Sequence, residues 1–442
     1  MYTAGAAALL VVVAVLAGHW IQNTDRTLHV SWAPLLASWE PHLGPGTPAA
    51  LLVAALTVAY GPALALRLPW RVLLATAWAT ALAWTFSLAL VDGWQRGIAG
   101  RLTTRNEYLQ VIDRFDDIPA TLREFTQHIL LYSPDNWPAH VAGHPPAATL
   151  TFVLLDRIGL RGGGWAGVWC IAVGATACAA VLIAVRALAS EGLARRAAPF
   201  LVLAPAAVWM GTSADGYFAA VTAWTVALLA LAVTRGSLAA AAASGLLFGL
   251  TCYLSYGLTL FALICAAVLW LGRQTVRDRP ALLVAALAGA AVVPMAFTLA
   301  GFDWWAAYRL LTTRYVEGVG GVRPYGYWVW ANLACTVLVT GLATPAALRR
   351  TATAALRPPT APRRVLLSPR PTVRLAVLVA AALLALLVAD LSGMSKAETE
   401  RIWLPFALWL LPSCALLTRP RAWLAAQAVL ALLINHLLLT GW

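Results

Sequence analysis

The groups in this chain best able to move protons fall mostly in one polar stretch, from Asp92 to Pro146. A carboxylate at the last turn of an apolar segment, as Asp92 is, has a fixed place and a partly desolvated setting, which suits a general base. The competing reading is that Asp92 marks a membrane boundary or caps the next short helix. Asp116-Asp117 precede Ile118-Pro119 and carry the same ambiguity, because Asp ahead of a Pro-containing segment often starts a helix. His140 and His144 stand four apart, but Gly143 and Pro145 argue against one continuous helix, so a metal-binding face is not expected. His144-Pro145-Pro146 opens an apolar helix, and the two prolines fix the backbone so that His144 is aimed back into the loop.

Three further groupings have charge next to aromatics. Ser213-Ala-Asp215-Gly-Tyr217 is a short turn between apolar segments. The stretch 301–326 carries Trp304, Trp305, Tyr308, Arg309, Arg314, Tyr315, Arg323 and Tyr325, and 392–405 carries Lys396, Glu400 and Arg401. Cations beside aromatic rings at a membrane surface suit a lipid phosphate, since a guanidinium fork matches phosphate oxygens and the rings can hold an apolar chain. Headgroup snorkelling explains the same cations without a function.

The elements that would position these groups are membrane helices. Of 442 residues, 61% are hydrophobic and 11% charged, with a mean hydropathy of +0.76, against roughly 25% charged in an ordinary soluble domain. Apolar runs recur near the ~20 residues that span a bilayer, and they are continuous rather than alternating, so the fold class is an all-α polytopic membrane protein. About thirteen transmembrane helices are expected on this count. They include spans at 198–212, 257–271, 327–347, 402–417 and 422–439, while 145–160 is too short and becomes a half-helix or an interfacial helix.

Basic residues gather in alternate loops, at Arg67 and Arg71, Arg195-Arg196, Arg235, Arg273 to Arg279, Arg349 to Arg374, and Arg419 with Arg421. These loops are placed in the cytoplasm by the positive-inside rule, which puts the carboxylate-bearing loops outside. The net charge of +13 then reflects topology, and nucleic acid is not an expected partner. The whole of 1–442 reads as one transmembrane domain, with an extracytoplasmic loop over 92–163 carrying short juxtamembrane helices and a basic cytoplasmic linker over 348–373. The first apolar segment has no basic flank or cleavage site and is expected to be a retained helix. Six cysteines all lie in apolar segments without metal spacing and are expected as small core residues.

The order of these features resembles the GT-C class of integral membrane glycosyltransferases. The similarity lies in a carboxylate after an early span, a long outer loop, Glu107-Tyr-Leu, Gly143-His-Pro-Pro, an outer turn with Asp215, and Lys396-Ala-Glu-Thr-Glu-Arg-Ile-Trp-Leu-Pro-Phe. It is closest in kind to the polyprenyl-phosphate-sugar-dependent enzymes, such as protein O-mannosyltransferases and aminoarabinose and arabinofuranosyl transferases, in an actinobacterial branch. It covers most of 70–415, and its motifs are loose. Two spans precede the one ending at Asp92, where many members have none, and Ala147 replaces a bulkier residue after His-Pro-Pro.

The resemblance implies a multi-pass cell-membrane enzyme that moves a sugar, a mannosyl or pentosyl unit, from a polyprenyl-phosphate donor at the extracytoplasmic face. The acceptor would be a glycan, lipid or protein. Asp92 would be the base, with Asp116, Asp117 and His144 as the other catalytic candidates. Arg309, Arg314, Arg323, Lys396 and Arg401 would face the donor phosphate, and Asp215, Tyr256, Tyr315, Tyr325 and Glu400 the substrates. A polyprenyl phosphate is already a leaving group, so no cofactor is demanded, though a divalent cation is compatible. The alternatives are a membrane transporter or polyprenyl-lipid flippase, which would need ionisable groups deep in the spans and paired broken helices, and a non-catalytic assembly subunit.

Overall fold

The structure is a computed structural model describing residues 2–356 and 370–441. Along the chain lie α1 (Tyr2–Thr24), β1 (Ala37–Trp39), α2 (Thr47–Arg67) and α3 (Trp70–Ala89), then a run of tight helical turns between Leu90 and Phe115. The outer stretch continues with α4 (Ile118–Glu124), α5 (Ala139–Gly143) and α6 (Ala147–Arg157). The central helices are α7 (Gly162–Gly174), α8 (Thr176–Leu188), α9 (Glu191–Val202), α10 (Ala207–Met210), α11 (Ala214–Arg235), α12 (Leu238–Leu254) and α13 (Phe261–Leu271). After them come α14 (Arg273–Asp278), α15 (Ala281–Leu299), α16 (Trp304–Glu317), α17 (Val319–Val322), α18 (Tyr325–Thr340) and α19 (Ala343–Leu356). The rest is α20 (Pro371–Leu391), α21 (Thr399–Ile402), α22 (Leu404–Ala407), α23 (Pro420–Leu437) and β2 (Leu438–Thr440).

The chain is helical and built to cross a membrane many times. Among the described residues seven segments are long and apolar enough to do so: α1, α2, Trp70–Asp92, Gly162–Leu188, α11, α15 and α20. An eighth results if α18 and α19 count together, though they meet at 98°. Three shorter apolar helices, Leu238–Leu254, Tyr256–Leu271 and Leu404–Leu416, stand beside them, and several of the about thirteen expected spans are short or broken. The run at 327–347 breaks where Gly341 takes φ +80, a conformation open to glycine at little cost. The run at 198–212 splits into the end of α9 and the single turn of α10, on either side of Pro205. The run at 402–417 becomes α22 and a tight turn over Leu411–Leu416, with Pro405 and Pro412 each lacking a donor for a continuous helix. The run at 257–271 opens with a tight turn at Tyr256–Leu260 before α13.

In the region expected as a linker, α19 extends to Leu356 and α20 begins at Pro371, so both ends are helical; 357–369 lie outside the described residues. The segment 422–439 ends earlier than expected as helix, since Leu438–Thr440 form β2. That strand pairs antiparallel with β1, Ala37 opposite Thr440 and Trp39 opposite Leu438.

Helix α11 is the most buried span and packs against α7, α8, α12, α13 and α22. α12 and α15 approach closely because glycines face backbone: a Cβ on Gly245 would lie 1.9 Å from the Ala286 carbonyl, and one on Gly289 2.2 Å from that of Ala242. Small residues that admit backbone-to-backbone approach are how apolar helices associate in lipid, where burial of apolar surface drives little. The six cysteines are free, four of them buried and two half-buried in the helices.

Candidate functional site

Four separate pieces of chain build one buried polar cluster. Ser213 caps α11: its Oγ accepts from the Asp215 amide at 3.1 Å and donates to Asp215 Oδ2 at 3.1 Å, fixing that carboxylate in the first turn. The short α5 carries His140, and His144 ends it in an extended conformation ahead of the two prolines. Glu107 and Tyr108 begin the last tight turn before α4, held because the His140 amide donates to the Asn106 carbonyl at 3.0 Å. Ala397 and Glu398 both take left-handed φ, +71 and +61. Such angles cost non-glycine residues of order 1–3 kcal/mol each. They turn the chain into α21 so that Glu398 and Arg401 face the same point.

Arg401 is the centre of this cluster. Its Nη1 donates to Asp215 Oδ2 at 2.6 Å, and its Nη2 to Glu398 Oε2 at 2.7 Å and to His140 Nε2 at 3.0 Å. His140 Nδ1 in turn lies 2.9 Å from Glu107 Oε1. Asp215, Arg401 and Glu107 are all buried. Burial opposes the charge on Arg401, but Asp215 and Glu398 outweigh it and hold the guanidinium above its ordinary pKa. Burial likewise pushes Glu398 up, and Arg401, His140 and Arg323 overcome it to hold that carboxyl low.

Aromatic groups wall one side. The Tyr108 ring stacks on Phe152 with centroids 5.2 Å apart and meets the His144 ring edge-on at 5.8 Å. Burial, with Asp215 and Glu107 nearby, drives the Tyr108 hydroxyl well above its usual pKa. His144 Nδ1 lies 2.7 Å from the His140 carbonyl and 3.1 Å from the Tyr108 hydroxyl. Burial lowers its pKa to about 4, so at neutral pH it is an uncharged imidazole. A carbonyl only accepts, so the proton sits on Nδ1 and Nε2 is left as an acceptor.

Beyond Glu398 lie more cations. Arg323 Nη1 is 3.8 Å from Glu398 Oε1 and donates to the Lys396 carbonyl at 2.7 Å, while its Nε donates to the Leu28 carbonyl at 3.0 Å. Lys396 Nζ donates to the Gly320 carbonyl at 3.0 Å, and the Lys396 amide donates to the Tyr315 hydroxyl at 3.1 Å. Glu400 is fully buried; its Oε1 accepts from the Leu36 amide at 3.0 Å, and burial pushes its pKa up to about 7.

Asp92 belongs to a second cluster. Its Oδ1 lies 2.9 Å from His42 Nε2 and 3.0 Å from Arg96 Nη2, and its Oδ2 is 2.9 Å from Arg101 Nη2. Arg96 also pairs with Glu40 at 2.7 Å, and Arg101 donates to the Thr440 carbonyl at 2.8 Å. Two guanidinium groups, one on each oxygen, thus take lone pairs that a general base would need. Asp92 ties the segment before α2, the loop after α3 and β2 together.

The remaining expected residues lie elsewhere. Asp116 is exposed, and Asp117 caps α4 by accepting from the Ala120 amide at 3.0 Å. Arg309 is exposed on α16. Arg314 is turned inward, donating to the carbonyls of Ile129 and Trp137 at 2.6 and 2.9 Å, so it anchors the outer stretch to α16. Tyr256 packs on Trp304 and Tyr308. Tyr325 donates to the Leu391 carbonyl at 3.3 Å, at the head of α18. Sequence reasoning did not assign roles to Glu107, Tyr108, His140 or Glu398. Glu107 and His140 stood in motifs already quoted, but nothing in the spacing shows that His140 reaches Glu107 and Arg401 at once. Among the described residues no group of three ligating side chains is gathered as a metal site.

No protein-family model matches the sequence, and no curated protein does. Solved structures do resemble it. One is the Archaeoglobus fulgidus oligosaccharyltransferase in complex with zinc and sulfate, with a TM-score of 0.49 and 16% identity, covering 77% of this chain and 48% of that one. A second structure of that enzyme, tethered to an acceptor peptide with the NVT sequon, gives 0.46 and 13% over 77% of this chain and 49% of that one. The third is ArnT from Cupriavidus metallidurans bound to undecaprenyl phosphate, at 0.45 and 14% over 76% of this chain and 59% of that one. The chain spans about half the length of the oligosaccharyltransferase it resembles.

Proposed function

We propose that the chain is a membrane glycosyltransferase that uses a polyprenyl-phosphate sugar, and that the Glu107–His140–Arg401–Asp215 cluster is its active centre, at the extracytoplasmic face. The observation that carries this reading is the double engagement of His140. Arginine cannot accept a hydrogen bond, so His140 Nε2 must present a lone pair to Arg401 and its proton must lie on Nδ1, facing Glu107. Glu107 is thereby oriented by a fixed imidazole, as a base in a constructed site would be.

In the reaction the acceptor hydroxyl attacks the anomeric carbon. The bond from that carbon to the phosphate oxygen breaks, the polyprenyl phosphate departs with the electron pair, and the acceptor proton passes to Glu107. The charge developing on the phosphate needs positioned cations. Lys396 and Arg323 are the best placed, since Lys396 Nζ gives one hydrogen bond to a carbonyl and keeps two donors for a ligand. Arg401 is matched by two carboxylates and holds the site in shape. The reading thus moves the base from Asp92, whose oxygens are occupied, to Glu107. The mannosyl or pentosyl identity of the sugar and the acceptor class rest on the resemblance alone.

The test is transfer from polyprenyl-phosphate sugars by the full chain in proteoliposomes. Glu107→Gln is expected to lower turnover by about 10²–10⁴-fold with the fold retained, whereas Asp92→Asn keeps most of the rate. Full activity of Glu107→Gln would remove the proposed base. Energised transport of lipid-linked sugar across the vesicle without any transfer product would favour the transporter reading.

A further inference from the structure

On the face opposite Asp92, α2 and α3 form a hairpin that turns at Leu68-Pro69. Near the turn α2 is tied to α9. Arg195 of α9 donates to the carbonyls of Ala65 and Leu68 at 2.9 and 2.8 Å, and Gly61 lies against Pro199. Between α2 and α3 the facing side chains are small: Thr57, Ala65, Thr76, Ala77 and Thr80, with Pro199 at the floor. The result is an open, apolar groove of about 560 Å³ in the wall of the protein. That volume falls in the range of ligand sites, roughly 300–1,000 Å³. Its outer lip is made by Leu56, Tyr60 and Leu64, all exposed on a helix that is long and apolar enough to face lipid.

The hairpin tip is strongly basic. Arg67 and Arg71 are exposed, one in the last turn of α2 and one in the first turn of α3. Arg186 and Arg195 lie over the Trp70 ring, 4.4 and 5.9 Å from its centre. Glu191 is the one carboxylate here, and it is shared between Arg186 and Arg195, each at 2.7 Å. Arg67 and Arg71 are therefore left without an acidic partner among the described residues.

We propose that this groove is a binding site for an anionic phospholipid, with an acyl chain lying between α2 and α3 and the phosphate held by Arg67 and Arg71. The groove supplies a slot of membrane depth, and the tip supplies uncompensated positive charge at the level of a headgroup; a neutral lipid would satisfy only the first. The site lies apart from the Arg401 cluster and does not depend on the function assigned there.

The experiment is native mass spectrometry and thermal unfolding of the detergent-purified chain with added dioleoyl phosphatidylglycerol, dioleoyl phosphatidylcholine or undecaprenyl phosphate. Phosphatidylglycerol is expected to stay bound and raise the melting temperature, with phosphatidylcholine of the same chains at least tenfold weaker. Arg67→Gln with Arg71→Gln should erase that preference, and Thr80→Trp, which fills the groove, should cut retention of phosphatidylglycerol by about tenfold with the melting temperature of the lipid-free protein little changed. Equal binding of both phospholipids, or binding indifferent to Thr80→Trp, overturns the proposal. So does preferential retention of undecaprenyl phosphate, or a dimer that excludes lipid and is broken by Thr80→Trp.

Discussion

Arg401 Nη2 donates to His140 Nε2 across 3.0 Å, and this contact fixes the proton of the imidazole on the far nitrogen, 2.9 Å from Glu107. A structural cation thereby decides which face of a histidine is acid and which is base. It also makes the cluster testable piece by piece, because each member has a different job.

Removal of Glu107 should act on the chemical step. A positioned base contributes typically 10²–10⁴-fold, so Glu107→Gln should lower kcat by about that factor with little change in donor KM. Glu107→Asp, which keeps the carboxylate but shortens its reach, should recover part of the rate. Steady-state kinetics in proteoliposomes checks both.

Loss of Arg401 should act on the fold. With it gone, Asp215 would be a buried charge without a cationic partner and Glu398 would keep only the more distant Arg323, and breaking a buried pair typically costs about 3–5 kcal/mol. Arg401→Leu should unfold at a much lower temperature. The triple change Arg401→Leu, Asp215→Asn, Glu398→Gln should regain most of that stability without regaining activity, as thermal unfolding and transfer assays together would report.

Glu400 gives a pH signature. Its carboxyl is raised from an ordinary value of 4.5 to about 7 by burial, so the folded state holds a proton that the unfolded state gives up. Stability should therefore fall as pH rises from about 4.5 to about 7 and level off above that. Glu400→Gln removes this slope, and the gap between variant and wild type should widen across the same interval in urea or thermal unfolding. His144 works in the other direction: held near 4 against an ordinary 6.5, it loses stability as pH falls through that range.

The contact of α12 with α15 is set by backbone. Gly245→Ala would put a Cβ 1.9 Å from the Ala286 carbonyl and force the helices apart. Overpacking of this kind costs about 1–3 kcal/mol, whereas Gly257→Ala, with open space around it, should cost much less. Comparative melting temperatures in detergent distinguish the two.

Hydropathy made the long helices α1, α2, α3, α11, α15 and α20 legible, because length and continuous apolarity are local properties. The breaks were not. Gly341 and Pro412 sit inside apolar runs, and because membrane helices tolerate glycine and proline the sequence does not show that these two end a helix. The site was half-legible for a similar reason. Arg401 and Asp215 stood out as charges at the edges of apolar runs, and Asp117 as a helix cap. Asp92 stood out for its position, yet position along the chain does not show that Arg96, Arg101 and His42 surround it. Glu107 stood in the Glu107-Tyr-Leu segment, but its setting was not legible there because it comes from a histidine 33 residues away and an arginine in another part of the chain.

The pairing of Ala37–Trp39 with Leu438–Thr440 has a consequence for assembly. The Asp92 cluster draws on Glu40, His42 and the Thr440 carbonyl, while the Glu40 and His42 amides donate to the carbonyls of Leu437 and His436. Segments about four hundred residues apart must meet before Arg101 has all its partners, and contacts that close so large a loop form late. During synthesis the loop beneath α3 would wait, incompletely tethered, until that last ribbon reached the membrane.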